Sequence, residues 1–103
     1  MERNDEILGF LGLLYKAHEA LIGEELLHHL DSIHLLIASK GLTSGESRKT
    51  LEKAKRMEMK VITLFEQEEL GNALGKAQVA FVGIKSKKAS IALLKKLGTE
   101  GKA

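Results

Sequence analysis

The strongest constraint on how this chain folds is a pair of short apolar runs held apart by a polar link. The first is Met59-Lys60-Val61-Ile62-Thr63-Leu64-Phe65 and the second Val79-Ala80-Phe81-Val82-Gly83-Ile84. Both are rich in β-branched or aromatic residues, as strands covered on both faces are, so both read as core strands. Between them, Glu66-Gln67-Glu68-Glu69-Leu70-Gly71-Asn72-Ala73-Leu74-Gly75-Lys76 reads as a compact helical crossover. Leu70, Ala73 and Leu74 recur at helical spacing, glutamates load the first turn, where the helix dipole favours anions, and Gly75 suits a left-handed end. Gly71 inside so short a helix costs roughly 1 kcal/mol relative to alanine, which predicts close backbone packing at that point.

A chain of 103 residues is long enough for one core and too short for two, so a single domain is expected, its core spanning about residues 5–97. The apolar share of 44% and charged share of 29% are those of a soluble globule rather than a disordered chain. Cysteine is absent, which excludes disulfides, thiolate catalysis and cysteine-based zinc sites. The opening Met1-Glu2-Arg3-Asn4-Asp5-Glu6 is too acidic for a signal peptide's first region, and no apolar run approaches membrane-spanning length. A cytoplasmic location, with no membrane partner, is the expectation.

Net charge is only +2, but it is unevenly spread. Residues 1–31 carry two basic and seven acidic side chains, residues 32–75 seven and six, and residues 76–103 seven and one, giving −5, +1 and +6. Such asymmetry points to a polyanion partner where the lysines converge in space, and to a solvated helix face where they do not.

Along the chain, five helical and about four strand segments emerge. Asp5 caps a helix to about Lys16, with Ile7, Leu8, Leu11, Leu14 and Tyr15 as its apolar stripe and Gly9 and Gly12 as either packing sites or marks of irregularity. Ala20, Leu21 and Ile22 form a brief strand before Gly23, and residues 24–30 a helix of two turns at most. Residues 33–38 read as a buried strand followed by the turn Ser39-Lys40-Gly41. A charged helix capped by Ser44 or Thr43 runs to about Met57, with Leu51, Ala54 and Met57 as a thin apolar edge and Glu52 spaced to pair with Arg56. Ser86 caps a last helix whose Ile91, Leu94 and Leu97 face inward with Leu93 flanking; Gly98 ends it and residues 99–103 fray. Helices alternating with short apolar strands predict an α/β fold, a three-layer α/β/α sandwich.

Chemistry is sparse. His28, His29, Asp31 and His34 lie close in sequence, but His28 and His29 diverge by about 100° on a helix and no His-x-x-x-His pair shares a face, so no metal is expected. Glu24-Glu25 and Glu68-Glu69 each open a helix, where dipole matching explains them without catalysis. No nucleophile elbow, phosphate loop or dinucleotide fingerprint is present, so the chain reads as a non-enzyme without a cofactor. One tyrosine and three phenylalanines supply little for a single-strand stacking platform, whereas structured RNA can be read through backbone and shape.

The ordered pieces Leu11-Gly12-Leu13, Ile22-Gly23-Glu24-Glu25-Leu26, Leu35-Leu36-Ile37-Ala38 and Glu69-Leu70-Gly71-Asn72-Ala73-Leu74-Gly75-Lys76 before an apolar strand resemble the ribosomal protein L-seven-Ae/L-thirty-e superfamily, and within it the small bacterial YlxQ-like branch. The likeness spans about residues 8–97, and its most specific piece is the Leu-Gly-x-x-x-Gly-Lys segment between two strands. It implies a sandwich around a mixed four-stranded sheet, a ribonucleoprotein role, and binding of structured RNA, commonly kink-turns with sheared G·A pairs. Members that bind such RNA carry Gly-x-Asn-Glu-x-x-Lys at the start of the second helix, while the loop before the last strand covers an extruded base.

Carried over from Gly23, the asparagine, glutamate and lysine positions fall on Glu25, Leu26 and His29; shifted by one they fall on Glu24, Glu25 and His28. Neither register supplies the asparagine or the lysine, and the segment between Gly23 and Ala38 is about one helical turn shorter than in relatives. The covering loop maps to Lys76, Ala77 and Gln78, with Lys40 and Gly41 as rim contacts. The residues expected to bind RNA are therefore Gly23, Glu24, Glu25, His28, His29, Lys40, Gly41, Lys76, Ala77 and Gln78. Electrostatic support for this site requires the C-terminal lysines to share a face with the Gly23 and Lys76 loops. The alternative is a divergent protein-interaction module that kept the fold and lost kink-turn binding.

Overall fold

The computed structural model describes residues 2–97. The order is α1 (Glu2–Lys16), β1 (Ala20–Leu21), α2 (Gly23–His28), a 3-10 turn (Leu30–Ser32), β2 (Leu35–Ala38), α3 (Gly45–Arg56), β3 (Val61–Thr63), α4 (Gln67–Leu74), β4 (Phe81–Ile84) and α5 (Lys87–Leu97). The strands form one mixed sheet in the order β1-β4-β2-β3. β2 and β3 are parallel, while β4 runs antiparallel to both β1 and β2. The crossover through α4 thus steps over β2 and returns the chain in the opposite direction.

Alternation along the strands builds the layers. Leu35 and Ile37 of β2 with Val82 and Ile84 of β4 face one core, closed by α1, α4 and α5. Leu36, Ala38 and Phe81 face the other, closed by Leu26 of α2 and Ala54 of α3. Successive side chains of a strand point to opposite faces, so two helical layers on four short strands bury nearly every strand residue of β2 and β4. Gly83 makes room on the second face: a Cβ there would strike the Leu26 and Ile33 side chains. The α/β/α sandwich expected from the sequence is present.

The α4 crossover follows its sequence closely. Glu66 and Glu69 form a reciprocal capping box, with the Glu66 amide donating to Glu69 Oε1 at 2.8 Å. Gly75 closes the helix at φ 77°, a left-handed conformation that costs a side-chain-bearing residue energy. Gly71 does pack closely, since a Cβ would lie 2.7 Å from the Ala77 carbonyl oxygen. Gly12 is likewise a packing site, 2.7 Å from the Ala73 oxygen by the same measure, whereas Gly9 faces open space. The predicted caps Ser44 and Ser86 accept from the amides of Ser47 and Ala89, each at 3.1 Å.

Other expectations need correction. α1 already includes Glu2, so Asp5 lies within the helix rather than at its cap. α2 ends at His28 and Leu30 belongs to the 3-10 turn. β3 is an edge strand, with Val61 and Ile62 half-buried and Thr63 exposed, because β2 takes the central place and β3 has a neighbour on one side only. The inner face of α3 is small and polar, made by Ser47, Thr50 and Ala54, and leaves Met57 exposed. In α5 the Ser86 cap turns Ala89, Ser90 and Leu93 inward; Leu93 is fully buried, Leu94 and Leu97 are half-buried and Ile91 is 48% exposed. Gly98 and residues 99–103 lie outside the described residues.

Candidate functional site

Strand register sets where the candidate residues can meet. Ala38 pairs with both Thr63 and Phe81, and Leu21 pairs with Gly83. The exit of β1, the exit of β2, the exit of β3 and the entry of β4 therefore share one end of the sheet. Gly23, Lys40, the head of α4 and the loop leading to Phe81 all emerge there. Loops at such an end are free to vary while the sheet holds their roots in place.

Between α2, α3 and that loop lies an open groove of about 520 Å³. Its floor is apolar, built by Ile22, Leu26, Val79, Ala80 and Phe81, and its rim carries Leu27, which is 46% exposed. Polar groups from three segments surround it: Glu24 beside Gly23, Glu46 with Ser47 and Thr50 from the first turns of α3, and Lys76 with Gln78 from the loop. Gly23 adopts φ +64°, the bend that turns β1 into α2. The loop is anchored from below, as the Lys76 amide donates to the Gly71 oxygen at 2.8 Å and the Val79 amide to the Gln67 oxygen at 3.1 Å. The Gln78 side-chain amide reaches Glu68 Oε2 at 3.4 Å, tying the loop to α4.

Of the residues named from sequence, Gly23, Glu24, Lys76 and Gln78 line the groove together. Glu25 points past the other side of α2 into a second cavity. His28 and His29 are exposed and line neither. Ala77 lies outside the lining, its carbonyl packed against Gly71. Lys40 and Gly41 sit at the same end of the sheet but outside the groove; the Lys40 amide donates to the Phe65 oxygen, and that of the preceding Ser39 to the groove-lining Ala80.

The required meeting with the C-terminal lysines does not occur. β4 runs away from the groove, so Lys85 leaves at the far end of the sheet and lines the second cavity, with Lys87 and Lys88 just beyond it. α5 then packs in the layer of α1, where the Lys96 ammonium lies 5.9 Å from the Phe10 ring centre. Among the described lining residues Lys76 is the one cation, against Glu24 and Glu46; α3 begins at this end, but its exposed Arg48, Lys49, Lys53, Lys55 and Arg56 lie outside the lining, and the parallel pairing of β2 with β3 carries its last turn to the far end of the sheet. What α3 does contribute to the groove is Glu46, Ser47 and Thr50, none of them among the residues named from sequence. A signal was available, because the short turn after β2 obliges α3 to begin at the end of the sheet where Lys40 emerges.

Chemically, the groove offers shape and charge rather than a reaction centre. The Thr50 hydroxyl donates to the Glu46 carbonyl at 3.0 Å, and Ser44 donates to Ser47 at 3.0 Å, so these hydroxyls serve the helix. No histidine stands among the described lining residues, and among the described residues no three metal-ligating side chains converge. No described helix is long and apolar enough to cross a membrane.

No protein-family model and no curated protein matches the chain. Solved structures do. A protein of unknown function from Bacillus halodurans superposes with a TM-score of 0.76 and 26% identity, covering 88% of this chain and 95% of that one. The 15.5kD RNA binding protein of Giardia lamblia superposes with a TM-score of 0.71 and 15% identity, covering 95% of this chain and 87% of that one. The second likeness is one of fold.

Proposed function

We propose that this domain is a non-catalytic RNA-binding protein that holds structured RNA at the groove end of its sheet. The observation that carries the proposal is the convergence of the Gly23 bend, the Lys76 loop and the first turns of α3 around an apolar floor. An unstacked base fits against Phe81, Val79 and Leu27, while Lys76 at the rim and Lys40 at the same end of the sheet meet the phosphates. The fold shared with an RNA binding protein supports the same reading. It is in keeping with membership of the L-seven-Ae/L-thirty-e superfamily in its YlxQ-like branch, a cytoplasmic setting and a structured RNA partner, of the kink-turn or ribosomal kind.

Kink-turn recognition is the finer form of this proposal, and at this site it takes a modified shape. Glu24 stands in the groove where the shifted register puts the family's asparagine, and Glu25 faces away. A carboxylate repels the acceptor-rich base edges that an amide would donate to, so the RNA is held mainly by its backbone and one extruded base. Each lysine-phosphate contact contributes about 0.7–0.9 to the slope of log affinity against log salt. Lys40→Ala and Lys76→Ala are each expected to lower that slope by this amount on a kink-turn RNA hairpin; unchanged slopes in both would remove these residues from the interface.

One observation favours a second reading, a protein-interaction module. Glu24 and Glu46 put two carboxylates on a groove with an apolar floor and an exposed Leu27, which suits a basic amphipathic segment. Under that reading the protein retains no RNA at low salt, and Glu24→Gln weakens partner binding; under the RNA reading the same substitution strengthens RNA binding.

A further inference from the structure

One of the lysines that fail to reach the groove, Lys85, meets Lys16 of α1 at another cavity. Tyr15, Lys16, His18, Glu25 and Lys85 surround a second cavity of about 420 Å³ at the opposite end of the strands, on the other side of α2. Four segments supply them: the last turn of α1, the connection into β1, α2 and the exit of β4. The backbone there is firmly held, with the Lys85 amide donating to the Glu19 oxygen at 2.8 Å and the Glu19 amide to the Leu14 oxygen at 2.8 Å. Lys16, His18 and Lys85 are all exposed. Lys87 and Lys88 open α5 directly beyond Lys85 and add two more cations along the same edge. Among the described lining residues one carboxylate, Glu25, stands against Lys16 and Lys85, and Glu19 lies next to His18 in the connection into β1.

We propose that this cavity is a second phosphate-binding surface, and that it engages the backbone of the same RNA whose base occupies the groove. The inference rests on the RNA reading above and extends it from one contact region to two. Phe81 lines the groove and Lys85 lines the second cavity, and four residues of extended chain span roughly 13 Å. α2 is the divider, presenting Glu24 to one side and Glu25 to the other. An RNA strand that leaves the groove over α2 needs only a few nucleotides to set its phosphates on Lys16 and Lys85. His18 and the Tyr15 hydroxyl add hydrogen-bond capacity toward the phosphate oxygens. The C-terminal charge excess thereby has a place in binding, at a surface distinct from the groove.

The test uses the whole protein with a kink-turn RNA hairpin, comparing salt-dependent affinity and amide shifts in NMR titrations. The double variant Lys16→Ala/Lys85→Ala removes two exposed side chains and leaves the fold intact by circular dichroism. Its slope of log affinity against log salt is expected to fall by about 1.4–1.8, twice the contribution of one contact. Glu25→Gln is expected to tighten binding about twofold to fivefold, as removal of one exposed like charge does. Amide shifts should appear both around Gly23 and Lys76 and around Lys16, His18 and Lys85. Shifts confined to the groove, with an unchanged slope in the double variant, overturn the second surface and leave RNA binding at the groove standing. Absence of RNA binding by the unaltered protein at low salt overturns both. Loss in the double variant of binding to anionic lipid vesicles, with RNA binding untouched, also overturns the proposal and assigns the lysines to a membrane surface.

Discussion

Gly71 joins packing to binding through a single hydrogen atom. A methyl group in its place would come within 2.7–2.8 Å of the carbonyl groups of Ala77 and Lys76, which are backbone and cannot rotate away. The loop that carries Lys76 and Gln78 would have to lift. Gly71→Ala should therefore destabilise the domain by about 1–3 kcal/mol in urea unfolding, the usual cost of overpacking, despite alanine's better helix propensity. It should also weaken RNA binding by more than Lys76→Ala alone. Gly9, with open space around its Cα, is the control: Gly9→Ala should stabilise by about 0.5–1 kcal/mol. Equal stability of the two variants would show that the loop is not seated on α4. The demand for a bare Cα at Gly71 was legible in the sequence, because a glycine in a two-turn helix needs a reason. The inward choice of Leu93 over Ile91 was not, since residues 91, 93, 94 and 97 are all apolar and only the neighbouring layer decides among them.

Helices α2 and α3 form the wall of the groove, and they hold their places by different means. α2 is six residues long, too short to persist alone, and depends on Leu26 seated against Gly83. α3 has an explicit start, the Ser44 hydroxyl accepting from the Ser47 amide. Ser44→Ala should cost about 1 kcal/mol of stability, and hydrogen exchange should quicken first at the amides of Ser47 and Arg48, beside the groove residue Glu46. Uniform acceleration across the whole domain would mean that α3 does not fray on its own. The cap was readable from Ser44 followed by a charged helix. The role of α3 was readable only in part: the short turn after β2 sets where it begins, but nothing in a charged helix marks Glu46, Ser47 and Thr50 as the residues that line a groove.

The whole molecule has a polarity that linear charge counting misrepresents. The C-terminal quarter holds the largest excess of lysine, yet of its described lysines only Lys76 lines the groove, facing Glu24 and Glu46, because the chain beyond β4 continues from the far end of the sheet. The layered architecture was readable from alternating helices and apolar runs. The order β1-β4-β2-β3 was not derivable from periodicity, since β4 reads the same whether it sits at the edge or between two partners.

That insertion governs how the protein comes into being. Among the described residues β1 pairs with β4 alone, and β4 is the last of the described strands in chain order. A nascent chain that has emerged only as far as residue 78 possesses a lone parallel pair, β2 with β3, and an orphaned first strand. A fragment of residues 1–78 should accordingly show no cooperative unfolding transition by circular dichroism, and adding the peptide 79–97 in trans should restore one. A cooperative transition in the fragment alone would contradict this. Stable structure should therefore wait on the emergence of β4 from the ribosome, and until then the apolar runs of β1 and β2 stay without the neighbour that pairs both of them.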